Sequence, residues 1–264
     1  LSEALALNAL VLAGAMLILW RIAVRIGDVS FIDAVWGGGM GVLALVSWVQ
    51  LDAPGARASL IAAITAIWAA RLAWHLFTRW RVHGEDPRYA KILGKARAQR
   101  RYGSAALKVV FGPQAVLLFF TCLPAQLGIL ASGAPAPIGA LAMAGGALWL
   151  VGITFEAVGD RQLNRFRADP ANKGRVLDTG LWRYTRHPNY FGDACVWWGI
   201  WLAASEAGLW VALGSVIGPL FLTVTLTRWS GKPLLEKGMA ERRPGYAEYV
   251  ARTSGFVPRS PKRG

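Results

Sequence analysis

The chain reads as all-α, a polytopic membrane helix bundle of about seven transmembrane helices with a cytoplasmic loop cap. Three observations carry that expectation. Of the 264 residues, 55% are hydrophobic and only 17% charged. Several apolar stretches exceed the roughly 18 to 20 residues that a helix needs to cross the hydrocarbon core. Apart from Arg57 in an outward loop and Arg71 within a span, the Lys and Arg residues gather on one side. That side is expected to be cytoplasmic by the positive-inside rule.

The spans fall near 4–24, 30–50, 58–78, 109–131, 137–158, 189–205 and 208–227. The first lacks a small-residue cleavage site followed by a soluble domain, so it reads as a retained helix. The second carries Asp33 near its cytoplasmic start. The third carries Arg71 and His75, four apart and therefore on one helix face, near its cytoplasmic end. After it comes a charged Gly/Pro turn, residues 83–89, which reads as a solvated loop, and then the basic run 97–101, suited to lipid headgroups. The fifth span runs out of the membrane through a polar stripe. Pro188 suits the first position of the sixth, where its missing N–H is no loss. The sixth and seventh are nearly contiguous, which leaves a six-span arrangement open.

A formal net charge of +14 would suggest nucleic acid in a soluble protein. Here the positive-inside pattern accounts for it, so membrane lipids are the expected partners and nucleic acid is not. Cys122 and Cys195 show no metal-ligand or CxxC spacing and read as packed thiols, with no metal site. No internal repeat or low-complexity tract interrupts what looks like a single integral membrane domain.

Ionisable groups inside a membrane normally face a cavity or a partner, so they are the functional candidates. Asp33, Arg71 and His75 lie at similar depth. They read either as a helix-locking Asp33–Arg71 ion pair with His75 nearby or as a catalytic group, and both can hold at once. Glu156, Asp160, Asn164 and Arg167 are spaced four, four and three apart, one stripe along a helix. Such carboxylates suit ribose hydroxyls or a carboxamide, and the forks of Arg167 and Arg175 suit phosphate. The other reading is that the carboxylates neutralise the nearby arginines. The segment Gly180 to Gly192 holds Tyr184, Arg186, His187, Asn189 and Tyr190. At the helix start marked by Pro188, Arg186, His187 and Asn189 would flank an anion. Tyr184 and Tyr190 would stack on a planar ring or anchor the helix at headgroup level, and Gly192 would let a ligand approach the backbone. Asp193 adds a third buried carboxylate, and Trp197 falls one turn beyond it on the same face.

Taken together, Glu156-x-x-x-Asp160, Arg167, Arg175, Gly180-Leu181-Trp182, Tyr184, Arg186-His187-Pro188-Asn189-Tyr190-x-Gly192-Asp193, Trp197, Gly245-Tyr246-x-x-Tyr249 and Phe256-Val257-Pro258 resemble the steroid 5-alpha-reductase family, most closely over residues 145–258. The resemblance, closer to the family's bacterial members, implies a seven-helix fold in a bacterial inner membrane that binds NADPH from the cytoplasm and reduces the 4-ene bond of 3-oxo-steroids. It implies substrate-side helices over about 1–135 and a cofactor-binding part over about 136–258. Asp160, Arg167, Arg175, Tyr184, Asn189, Asp193 and Trp197 would surround NADPH. Glu156 replaces a family amide, and Tyr246 belongs to the terminal motif. The family's acid pair is a glutamate in the second helix and a tyrosine in the third or fourth. Asp33 would stand for the glutamate, His75 occupies the third span where a tyrosine is expected, and Tyr89 is a loop substitute.

The implied chemistry is hydride transfer to the beta carbon of an enone, with a donor meeting the charge that develops on the carbonyl oxygen. A flat, apolar, steroid-like substrate would enter from lipid. Two other classes compete. Membrane isoprenylcysteine carboxyl methyltransferases share an Arg-His-Pro-x-Tyr-x-Gly element and use S-adenosylmethionine. They more typically carry an adjacent glutamate pair before the terminal tyrosines, where this chain has separated Glu236 and Glu241. A non-enzymatic lipid or sterol binder would need no nucleotide.

Overall fold

The computed structural model describes residues 1–229 and 231–262. Among them every regular element is a helix, and only isolated bridges, such as Thr185 with Ser254, pair extended backbone. Six stretches are long and apolar enough to cross a membrane: Ser2–Ile26, Ile32–Val49, Ala56–His83, Tyr102–Thr121, Ala140–Ala168 and Leu209–Arg242. The protein is therefore a multi-pass helical membrane protein. The expected span at 189–205 is present as an 18-residue helix, Pro188–Ser205. It falls outside the six because Asn189, Asp193 and three tryptophans lower its mean hydropathy.

The chain divides into two compact units, Leu1–Met143 with Ile200–Gly218, and Ala144–Gly199 with Pro219–Gly264. In the first unit, helix α1 (Ser2–Ile26) stops at Gly27, whose φ of 72° needs no Cβ and lets its N–H bond Ala23. Helices α2 (Ile32–Val49) and α3 (Ala56–His83) pack backbone to backbone. A Cβ on Gly37 would lie 3.1 Å from the Ala69 carbonyl, and one on Gly41 2.7 Å from the Ala69 Cβ. Small residues permit this approach where lipid offers no hydrophobic drive for helix association. Helix α4 (Pro87–Ala98) begins with Asp86 accepting the Arg88 N–H and Pro87 in the first turn, a signature readable as a helix start.

Helix α5 (Tyr102–Ala105) continues through a π turn, Ala106–Phe111, into α6 (Gly112–Thr121), and α7 (Leu123–Leu130) follows. The single span expected at 109–131 thus starts earlier and breaks at Cys122. Prolines explain both departures: each ring clashes with the carbonyl four residues back, so Pro113 follows a widened turn and Pro124 a stop.

A buried polar clamp ties α1, α2 and α7. Asn8 donates to Ser47 at 2.7 Å and to Gln126 at 2.9 Å, and accepts from Gln50 at 2.9 Å. Stranding a buried polar group costs about 1–3 kcal/mol. Asn8→Ala should therefore lower the melting temperature in detergent, and more than Leu10→Ala on the exposed face; equal shifts would mean that the clamp adds nothing.

In the second unit, helices α8 (Ala140–Ala168) and α9 (Pro188–Ser205) meet on glycines spaced seven apart. A Cβ on Gly199 would stand 2.6 Å from the Gly145 carbonyl, and one on Gly192 2.5 Å from both the Gly152 carbonyl and the Glu156 N–H. The chain continues through α10 (Leu209–Ser215), in the first unit, and then α11 (Ile217–Val224), α12 (Lys232–Glu236), α13 (Met239–Arg242) and α14 (Tyr246–Arg252).

Candidate functional site

Each unit holds one polar cluster built from the candidate residues. In the first, Asp33 projects from the first turn of α2, and the first turn of α4 meets it. Tyr89 Oη donates to Asp33 Oδ1 at 2.7 Å, and Arg88 Nη2 donates to Oδ2 at 2.8 Å. Arg79, near the end of α3, stands 3.9 Å from the same carboxylate. Asp86 also holds the Arg88 guanidinium, at 2.9 Å, while its own N–H bonds Ser30 Oγ. The helix cap therefore aims the arginine. Gln114 Nε2 donates to Tyr89 Oη at 3.2 Å, and the Trp36 indole N–H donates to Gln114 Oε1. Helices α2, α4 and α6 thus fix one phenol from three directions.

Burial, and then the charge of Asp33, raise the Tyr89 pKa well above that of a free phenol. The bond to Asp86 and the charge of Asp33 hold Arg88 cationic, against the opposing effect of its burial. Arg88, drawn from the segment expected to be a solvated loop, is thus one cation bonded to Asp33. His75 lies on α3 one turn before Arg79, half-buried, with its carbonyl accepting from Thr78 Oγ1 at 3.0 Å. Asp33 acts here as an acceptor, and the hydroxyl proton belongs to Tyr89.

The second cluster surrounds the start of α9. Asn189 Nδ2 donates to Asp160 Oδ1 at 3.0 Å. Glu156 and Asp160 are buried on α8, with Asn164 and Arg167 exposed further along it. Arg175 and Tyr184 are exposed in the connecting segment, and Asp193 and Trp197 follow on α9, half-buried and buried. Trp182 donates its indole N–H to the Gly159 carbonyl at 3.1 Å, and Gln162 Oε1 accepts from the Leu181 N–H at 3.0 Å. The motif Gly180-Leu181-Trp182 is thereby pinned to α8.

Two expectations take a different form. Arg186 and His187 do flank an anion, but it is the carboxylate of Glu236. Arg186 Nε and His187 Nε2 each lie 2.9 Å from Glu236 Oε1. Arg186 also donates to the Thr253 carbonyl at 2.6 Å, and Thr185 Oγ1 to the Phe256 carbonyl at 2.8 Å. Both basic side chains are buried and fasten the C-terminal segment. Gly192, expected to admit a ligand, instead admits the backbone of α8.

Tyr190 stacks on His187 with ring centroids 5.3 Å apart. Tyr246 and Tyr249 are buried 6.0 Å apart, and Tyr249 Oη donates to the Trp182 carbonyl at 2.6 Å. The terminal tyrosine motif therefore braces the 180–187 segment. Sequence reasoning left Arg88, Gln114 and Glu236 off the list of site residues. The Asp86-Pro87 helix start was the available signal for Arg88.

Fold and clusters together define a multi-pass helical membrane protein with a half-buried carboxylate bonded to a buried phenol and a carboxylate–amide pair at a helix start. The chain belongs to the family described as "Protein of unknown function (DUF1295)", which matches residues 19–253. It is similar to "Uncharacterized protein C594.04c" of Schizosaccharomyces pombe, 22% identical over 273 residues that cover 92% of this chain and 76% of that protein. No solved structure matches it.

Proposed function

We propose that the protein is an NADPH-dependent reductase of the 4-ene bond of a 3-oxo-steroid or a similar lipophilic enone. The observation that carries the reading is the Tyr89–Asp33 hydrogen bond. It joins a carboxylate and a phenol 56 positions apart, the two side-chain chemistries of the steroid 5-alpha-reductase acid pair, with an aspartate where that family has a glutamate. Asp33 and Gln114 position the phenol, Arg88 keeps Asp33 compensated, and the Tyr89 hydroxyl turns to the carbonyl oxygen as charge develops there. A donor placed where charge develops is typically worth about 100-fold or more in rate. The raised pKa of Tyr89 keeps that proton in place throughout the neutral range.

NADPH, when bound, supplies the hydride. The residues proposed to hold it lie in the second unit, and their chemistry fits. The exposed guanidiniums of Arg167 and Arg175 suit phosphate, Asp160 and Asn189 suit hydroxyl and amide groups, and Tyr184 offers an exposed ring. Glu156, Asn164, Tyr190, Asp193 and Trp197 complete this group. Arg186, His187 and Tyr246 support it from behind by fixing the 180–187 segment. The basic side is the cytoplasmic one in this reading.

Thermal shifts of the detergent-extracted protein test it. NADPH should stabilise by about 2.7 kcal/mol at ~100 times its dissociation constant, and NADH much less at the same concentration. Asn189→Ala and Asp160→Ala should weaken the NADPH response by ~1–3 kcal/mol while leaving the protein inserted. Equal shifts by both dinucleotides would remove the phosphate-recognition claim, and a response to S-adenosylmethionine alone would favour a methyltransferase.

A further inference from the structure

The first unit contains a cavity of about 580 Å³ that the proposed chemistry does not use. Its lining includes Val11, Ala15 and Leu19 on α1, Phe31 at the start of α2 with Ala34, Val35, Gly38, Gly39, Val42 and Leu43 along it, and Ala70, Ala73, Trp74 and Phe77 on α3. Those α2 positions recur at three and four residues and so share one face. Asp33 projects about 200° around the helix from Phe31. The cavity and the carboxylate–phenol pair thus lie on opposite sides of α2.

We infer that this cavity is a binding site for the acyl chains of an anionic phospholipid, with its phosphate at the basic end of α1 and α3. The lining side chains are apolar throughout, so a ligand carbonyl placed there would lose its hydrogen bonds, at a cost of about 1–3 kcal/mol. Hydrocarbon alone carries no such penalty.

The charges at one end supply the second half of the argument. Trp74 and Phe77 line the cavity, and Arg81 follows at helical spacing on the same face of α3, exposed. Arg25, also exposed, stands in the last turn of α1. These ends are neighbours, because the Trp80 indole N–H donates to Asp28, just past α1, at 2.7 Å. Phe31, which lines the cavity, also makes an edge contact with Trp80, with centroids 5.7 Å apart. Trp74 is exposed beside it, where an indole suits the headgroup boundary. A phosphate at this level meets two cations while its chains run into the cavity.

Gly38 provides the test. A Cβ there meets only Ala73 Cβ, at 3.8 Å, so a larger side chain enters the cavity without displacing a helix. The protein is purified in detergent, exposed to dioleoyl phosphatidylglycerol or dioleoyl phosphatidylcholine, washed, and weighed intact by native mass spectrometry. The parent should retain one phospholipid and favour phosphatidylglycerol. Gly38→Leu should retain at least tenfold less of either lipid, with circular dichroism confirming its fold. Arg81→Gln combined with Arg25→Gln should keep retention but lose the preference for phosphatidylglycerol. Equal retention by Gly38→Leu, or no retained lipid in the parent, would overturn the assignment. So would a dimeric parent that Gly38→Leu makes monomeric, because a second copy would then fill the groove.

Discussion

Tyr89→Phe is expected to lower the turnover of a 4-ene-3-oxo-steroid by about 100-fold or more while leaving the NADPH thermal shift unchanged. The substitution removes one oxygen. It deletes the bonds to Asp33 and from Gln114, at 2.7 and 3.2 Å, and keeps the ring that packs there. Asp33→Asn retains an acceptor for the phenol but presents an amide to Arg88, so its loss should be smaller and should reflect positioning. The pH dependence has a defined direction. The folded-state pKa of Tyr89 lies above the free value, near 10, so its contribution to stability is complete below pH ~10 and is lost only as pH rises above that. A decline of activity within the neutral range therefore belongs to another group. Unchanged turnover in Tyr89→Phe would remove the phenol from the mechanism and make His75 the next donor to substitute.

Glu236→Ala should be the most destabilising single change in the second unit. The carboxylate takes bonds from Arg186 and His187, and the Arg186 side chain is only 8% exposed. Removing one partner of a buried pair leaves an uncompensated charge and typically costs 3–5 kcal/mol, roughly. Because Arg186 also holds the Thr253 carbonyl, the loss should loosen the chain after residue 236. Limited proteolysis should then cut between 237 and 258 in the variant and spare the parent. Glu236→Gln, which keeps an acceptor oxygen, should fall between the two. A variant that melts with the parent and resists protease would show that the C-terminal segment is held by the tyrosines alone.

What the sequence disclosed, and what it withheld, follows from the range of the forces involved. Helix existence is a local property. Apolar runs and Pro188 at a first turn are read within a few residues of where they act. The polar stripe on α8 is local as well, since a spacing of four fixes a shared face. Partners are not local. Nothing near Arg186 and His187 announces that Glu236, 49 and 50 residues later, will satisfy both, so an external anion seemed the natural occupant. Gly192 misled for the same reason: a missing Cβ admits any backbone, and the seven-residue glycine rhythm on α8 and α9 was the clue that the backbone is another helix. The span expected at 109–131 failed at its boundaries because an apolar average does not register two prolines. Tyr89 came into view as a substitute within a loop, whereas Asp86-Pro87 starts a helix that carries it onto Asp33.

The central claim is that this chain moves a hydride to a lipophilic enone, and isotope transfer tests it most directly. The purified protein is reconstituted in phospholipid vesicles and given a 4-ene-3-oxo-steroid with NADPH deuterated at the transferable position of the nicotinamide. The account predicts NADPH consumption that depends on the steroid, and a saturated product carrying one deuterium at the beta carbon. Steroid-independent NADPH oxidation, a product without deuterium, or methylation of a lipid supplied with S-adenosylmethionine would contradict it.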